Sequence, residues 1–244
     1  VVTPVLAVEC VAKRFGGRQV LSSASIRAIE GEMLALVGRN GAGKSTLLRI
    51  AAGWIQPDGG SIHLRGRAYP EVSLPLLARE GVFFLPDHDL LSSAFSVGTQ
   101  LEMFARQFGQ GDPDEAAVLL DIGALLHRRA RSLSGGELRR AEIATAVVRG
   151  PSCLLADEPY RGIAPMDIEI LTRAFRHLTH RGCAVVFTGH EIQSVLAAAD
   201  RVTWCAGGTT TDFGSPAAAS RNERFQREYL GPTLSERVMR HPTT

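Results

Sequence analysis

At 244 residues the chain can bury a substantial core, either as one domain or as one domain carrying a subdomain. Its 27 basic and 25 acidic residues give no electrostatic case for nucleic-acid binding, and no apolar run approaches the roughly 18 residues that span a bilayer. The start, Val1-Val2-Thr3-Pro4, lacks the regions of a signal peptide. Cys10, Cys153, Cys183 and Cys205, scattered without a C-x-x-C, read as buried free thiols, so a reducing, cytosolic compartment is expected.

Val5 to Val11 alternates weakly and predicts a strand, followed by a turn over Lys13-Arg14-Phe15-Gly16-Gly17-Arg18. Phe15, a lone aromatic upstream of the glycine-rich loop, reads equally as a base-stacking ring or as core. A second strand is predicted over Val20 to Ile29, and Gly31-Glu32 turns into the apolar run Met33-Leu34-Ala35-Leu36-Val37. That run enters Gly38-Arg39-Asn40-Gly41-Ala42-Gly43-Lys44-Ser45-Thr46, which satisfies G-x-x-x-x-G-K-[ST], and a helix-like segment leaves it. Strand, glycine loop and helix together make a phosphate cradle rather than a chance glycine turn. Backbone N–H groups and the helix N-terminus face the phosphates, Lys44 reaches the β and γ phosphates, and the Ser45 hydroxyl takes a place on Mg²⁺. The loop therefore predicts binding of a nucleoside triphosphate.

Beyond a turn at Gln56-Pro57-Asp58-Gly59-Gly60, short strands are predicted at Ser61–Leu64 and Gly81–Leu85, the latter delivering Pro86-Asp87-His88-Asp89 into a loop. From Ser96 to about Ile122 the spacing of Leu101, Phe104, Ala105 and Phe108 turns helical, with Pro113 opening a further helix. A helix from Ser134 to about Arg149 begins with the capping-box pattern Ser134-Gly135-Gly136-Glu137. Two glycines in a first turn cost about 1 kcal/mol each against alanine, and close backbone approach to an anion is the natural compensation. The strand Ser152–Ala156 ends in Asp157-Glu158-Pro159, where Asp157 suits Mg²⁺ or its water and Glu158 suits alignment of an attacking water. An amphipathic helix carrying Ile168, Leu171, Ala174, Phe175 and Leu178 follows. The strand Ala184–Thr188 then brings His190 to the same sheet edge, within reach of a γ-phosphate. A closing hairpin around Gly207-Gly208, a last helix from Ser215 to about Leu230 and a polar tail complete the chain.

From about Val5 to Leu230 these pieces resemble the nucleotide-binding subunit of ATP-binding-cassette (ABC) transporters. Gly38–Thr46 is similar to the Walker A motif, Leu133-Ser134-Gly135-Gly136-Glu137 to the LSGGE signature, Leu154–Pro159 to Walker B with its catalytic glutamate, His190 to the switch histidine and Phe15 to the adenine-stacking aromatic. The resemblance implies an α/β fold: a P-loop NTPase core of mainly parallel strands with an N-terminal antiparallel β subdomain and a helical signature subdomain over about 88–150. The cassette would cover residues 1–230 and the tail 231–244. It implies ATP and Mg²⁺, the latter on Ser45, Asp157 and Asp87, and head-to-tail pairing with a second cassette, an identical copy or a close relative. The signature Ser134–Glu137 of one cassette would close over ATP on the other. A permease on a separate chain, at the cytoplasmic face of the inner membrane, would be driven by this motion.

Two departures stand out. Asp87 occupies the place of the Q-loop glutamine, and Ala164 replaces the aspartate of the D-loop segment Tyr160-Arg161-Gly162-Ile163-Ala164-Pro165, so slow turnover is one expectation. Gly136–Ala144, Glu158–Ile163 and Arg227–Gly231 are most similar to the lipopolysaccharide-transport and branched-chain amino-acid-transport ATPases, which points to a lipid-like cargo first and an amino acid second. The competing readings are a soluble ABC ATPase of the iron–sulfur assembly type and a nucleotide-gated binding module that scarcely hydrolyses.

Overall fold

β1 (Leu6–Phe15) and β2 (Arg18–Ala28) form a hairpin turned at Gly16-Gly17. The strands run further than the weak alternation predicts, because the register shifts between Val8 and Val11, where Cys10 takes φ 51° and donates its N–H to Ser25 Oγ. This bulge breaks the period of two that sequence reading relies on. It also turns Cys10 outward, which corrects the expectation of four buried thiols: Cys153, Cys183 and Cys205 are buried, Cys10 is exposed, and all four are free. The computed structural model describes residues 2–69, 71–88, 90–189 and 191–231. The predicted polar tail beyond Gly231 lies outside them.

β3 (Met33–Val37) leads to α1 (Lys44–Ala51), β4 (Gly59–Leu64) and β5 (Arg67–Tyr69), then α2 (Leu74–Arg79) and β6 (Val82–Leu85). α3 (Val97–Phe108), α4 (Pro113–Leu119) and α5 (Gly135–Arg149) precede β7 (Cys153–Ala156), α6 (Pro165–His180) and β8 (Ala184–Thr188). α7 (Ile192–Ala198), β9 (Arg201–Ala206), β10 (Thr209–Gly214) and α8 (Pro216–Arg221) follow. The strands lie in one ten-stranded sheet, ordered β5-β4-β1-β2-β10-β9-β3-β8-β7-β6. β9, β3, β8, β7 and β6 are mutually parallel, and β5, β4, β1 and β2 are antiparallel. The two parts meet at β10, which pairs with β2 through Thr209 and Ser23; there the Thr210 hydroxyl both accepts from Ser25 N–H and donates to Ser25 C=O.

Both faces of the parallel part are covered, so its strands are largely apolar. Met33, Ala35 and Val37 enter one core with α3 to α6, while Leu34 and Leu36 enter the other with α1. β7 and β8 repeat this: Leu154, Val185 and Phe187 face the first core, and Cys153, Leu155 and Val186 the second. The C-terminal ends of these strands share one sheet edge, and the phosphate loop and acidic pair emerge there.

The short elements β5, α2 and α7 escape the sequence reading because each is too brief to display a period. The single last helix expected to reach Leu230 is instead broken. Asn222 leaves helical geometry and caps a new turn at Glu223–Phe225, which runs into a π-helical turn over Gln226–Leu230. The break seats Phe225 with its ring centroid 5.6 Å from Trp204, 5.1 Å from Phe213 and 5.2 Å from Tyr229. The Tyr229 hydroxyl is buried without a hydrogen-bond partner; the Gly38 N–H faces it without closing a bond, and burial holds the phenol pKa above its ordinary value. These two aromatics should respond oppositely to substitution. Phe225→Ala is expected to cost about 3–5 kcal/mol, seen as a Tm drop on the order of 10 °C in calorimetry. Tyr229→Phe deletes only an unsatisfied hydroxyl and should leave Tm unchanged or slightly raised.

Candidate nucleotide site

The loop from Gly38 to Thr46 follows a path that two of its glycines enforce. Gly38 (φ 152°) lies so close to β9 that a Cβ would stand 2.2 Å from the Cys205 carbonyl oxygen, and at Gly43 (φ 104°) one would stand 2.6 Å from Leu21. A side chain at Gly38 would displace the backbone of β9, and one at Gly43 would combine a left-handed backbone with a clash against the Leu21 side chain. The Cys205 thiol donates to the Ala42 carbonyl, so β9 also braces the middle of the loop, and burial pushes this thiol up to about 11. Lys44 is buried at the start of α1, its ammonium donating to the Gly38 and Arg39 carbonyls at 2.8 and 3.3 Å. It closes the loop on itself.

Asp157, 1% exposed, stands at the end of β7. Its Oδ1 accepts from Ser45 Oγ at 2.9 Å and from Thr188 Oγ1 at 2.8 Å, tying α1, β7 and β8 together at one oxygen. Burial pushes this carboxyl up from its ordinary value; the hydrogen bonds from Thr188 and Ser45 oppose the shift, and the nearby charge of Asp87 adds to it. The next residue, Glu158, adopts a left-handed backbone (φ 48°) and donates its N–H to the same Thr188 hydroxyl at 2.8 Å. Behind it Tyr160, 2% exposed, packs against Phe175 and Phe187 with ring centroids 6.1 and 5.7 Å away and pairs its hydroxyl with Thr172 at 3.0 Å. A bulky anchor and a shared threonine thus hold the acidic turn in an unfavourable conformation of the kind found at functional sites.

Lys44, Ser45, Thr46, Asn40, Glu158 and Asp87 line one cleft of about 520 Å³, joined by Arg18, Val20 and Arg161. A larger cavity of about 650 Å³ at the opposite end of the sheet, lined by Glu30, Arg65 and Arg181 among others, has neither the glycine loop nor the acidic pair. The glycine loop and Glu158 therefore share the smaller cleft. Phe15 does not belong to the core; it is 47% exposed and pairs across the hairpin with Arg18, at the cleft's rim. His190 lies outside the described residues.

The signature residues stand apart from this cleft. Ser134 and Glu137 form the reciprocal box: Ser134 N–H donates to Glu137 Oε2 at 2.7 Å, and Glu137 N–H to Ser134 Oγ at 3.4 Å. The bond from the Ser134 N–H keeps the Glu137 carboxyl below its ordinary range, and Arg128, 3.2 Å away, adds to this. Of the two glycines, Gly136 lies against Asp167, where a Cβ would stand 2.4 Å from the carboxylate Oδ2 and push that side chain aside. Gly135 faces open space.

Sequence reading missed three residues of the site. Thr188 is the polar end of a buried strand at the sheet's C-terminal edge, a signal the sequence did offer. Arg139, on α5, donates to the Pro86 and Asp87 carbonyls at 2.8 and 2.6 Å and pairs with Glu142 at 3.0 Å, both side chains buried; it ties the signature helix to the loop carrying Asp87. Arg161 reaches back over the cleft toward Asp87.

The chain is similar to known proteins. Residues 21–161 match the ABC transporter family. The chain is 34% identical over 233 residues to a probable ABC transporter ATP-binding protein of Azorhizobium caulinodans, covering 93% of this chain and 83% of that protein. It is 30% identical over 239 residues to the lipopolysaccharide export system ATP-binding protein LptB of Escherichia coli K12, covering 93% and 97%. A crystal structure of the ADP conformation of an ATP-binding cassette of an ABC transporter superposes with a TM-score of 0.79 at 20% identity, covering 98% of this chain and 99% of that one, which speaks to the fold. No described helix is long and apolar enough to cross a membrane. With the phosphate loop and Glu158 on one cleft, the buried Asp157 behind them, and relatives matched over nearly its whole length, the chain belongs to the ABC transporter family as an ATP-binding protein.

Proposed function

We propose that this chain is the ATP-hydrolysing motor subunit of a membrane transporter, pairing head to tail with a second cassette and driving a permease on a separate chain at the cytoplasmic face of the membrane. The observation that carries this reading is the Ser45–Asp157–Thr188 junction with Glu158 on the same cleft wall. Gly38–Thr46 would bind the phosphates through backbone N–H groups, and Lys44 would exchange its two carbonyl partners for β- and γ-phosphate oxygens. Exposed Phe15, beside Arg18, is available to stack on the base.

Among the described residues no three His, Cys, Asp or Glu side chains form a metal cage. That fits Mg²⁺ in such a site, which takes one or two protein oxygens and fills its shell with phosphate and water. Ser45 and Asp157 would hold it, and Asp87 stands on the same cleft. When bound, the ion would neutralise charge on the phosphate oxygens. Glu158 would accept the proton of the attacking water and His190 would contact the γ-phosphate. Ser134–Glu137 lie off the cleft, which supports their serving the ATP of the opposed cassette, with Gly135 open to the anion.

Wild-type protein given Mg-ATP should release phosphate at least about 100-fold faster than a Glu158→Gln variant, the contribution usual for a general base; equal rates would end the hydrolysis claim. The same variant with saturating Mg-ATP should double its mass in light scattering, alone or mixed with its natural companion cassette. A single species in both experiments would remove the head-to-tail pair.

Since the Asp157 pKa is raised on folding, its ionised form weakens the ligand-free fold. That loss accrues as pH rises from the ordinary carboxylate range through the raised value, and it persists at neutral pH. Asp157→Asn should therefore melt at or above wild type at pH 7 without ligand. The additional Tm gain of Mg-ATP over ATP in EDTA should vanish in that variant. An apo Tm well below wild type, or a retained Mg²⁺ increment, would contradict the assignment.

Ala164 is the N-cap of α6 and offers no side-chain bond to it. Ala164→Asp should add about 1 kcal/mol, a few degrees of Tm. If the family's aspartate also matters at the cassette interface, phosphate release should rise in the same variant.

A further inference from the structure

Arg161 follows the acidic turn, its N–H donating to the Glu158 carbonyl at 3.1 Å. Its guanidinium stands 3.7 Å from Asp87 Oδ2, and both residues line the cleft with Lys44, Ser45 and Glu158. The arginine side chain is 65% exposed, and an ion pair this long and this wet adds little to stability, so a stabilising role does not account for it. The surroundings supply another reason. This end of the cleft holds Asp87 and Glu158 and is backed by Asp157. A triphosphate adds more negative charge there, against Lys44, which is buried and fixed by two loop carbonyls. Arg18 also lines the cleft, from β2, but Arg161 alone follows directly on the acidic turn, and its exposed planar fork matches two phosphate oxygens at once.

We propose that Asp87 parks Arg161 at the mouth of the cleft and that Arg161 moves onto the terminal phosphate of bound ATP, making it the residue that distinguishes ATP from ADP. Asp87, in the place of the Q-loop glutamine and 3.5 Å from His88 through its other oxygen, would then exchange Arg161 in the open cleft for the divalent cation in the loaded one. This rests on reading the cleft as the ATP site.

The test is a set of equilibrium titrations with ATP and with ADP, in Mg²⁺ and in EDTA, all in a Glu158→Gln background so that ATP persists. R161A should weaken ATP binding about tenfold, the scale of one charge-assisted phosphate contact, and leave ADP within about twofold. R161K should recover part of the loss, since it restores charge without the fork. D87N should release Arg161 and tighten ATP binding in EDTA about threefold or more, and the gain should disappear in the D87N/R161A double variant. Arg161 is exposed, so R161A should melt like its parent. An equal loss of ATP and ADP affinity in R161A, no loss at all, or a D87N gain that survives in the double variant would overturn the assignment of Arg161. Parent protein that bound neither nucleotide would overturn the reading of the cleft as well.

Discussion

The site depends on one buried carboxylate oxygen. Asp157 Oδ1 accepts hydrogen bonds from hydroxyls in the first turn of α1 and at the end of β8 while sitting at the end of β7, so three elements distant in sequence are fixed at one point. Ionised carboxylates out of water are costly, and two hydroxyl donors offset part of that cost. The arrangement is thus stable enough to persist yet unfavourable enough to welcome a cation. Thr188 extends it by also accepting the Glu158 N–H, so the residue proposed as general base is positioned by the same hydroxyl that steadies the acid proposed to hold the metal.

Parallel strands explain why these groups coincide. β3, β7 and β8 end at one sheet edge because they run in one direction, and right-handed crossovers return each chain segment to the same starting side. Both faces of these strands are buried, so polar chemistry can appear only where a strand stops. Gly38, Asp157 and Thr188 are such stopping places.

Much of this was legible in the sequence, for a reason that also marks where legibility ends. The glycine loop, the Ser134-Gly135-Gly136-Glu137 cap and the acidic pair each act through residues adjacent in the chain, so their chemistry is written contiguously. The strand Met33–Val37 and the helix ending at Arg149 carry a strong pattern or a clear cap, and both emerged at the expected residues. Contacts between distant segments were not legible. Nothing near Gly136 announces Asp167, nothing near Asp87 announces Arg139 or Arg161, and Cys10 was misjudged because a bulge inverts the face it occupies. The C-terminal segment read as one helix because its composition suits one; packing of Phe225 against Trp204 breaks it at Asn222.

The close approach of Gly38 to Cys205 carries a mechanical implication. The loop's first residue rests directly on the carbonyl of β9, and β9 continues through its hairpin into β10, the strand that joins the antiparallel half of the sheet. With no Cβ to act as a spacer, there is no slack at this point. Any residue other than glycine at 38 would wedge the loop off β9, and with it off the hairpin through which the two halves of the sheet are joined.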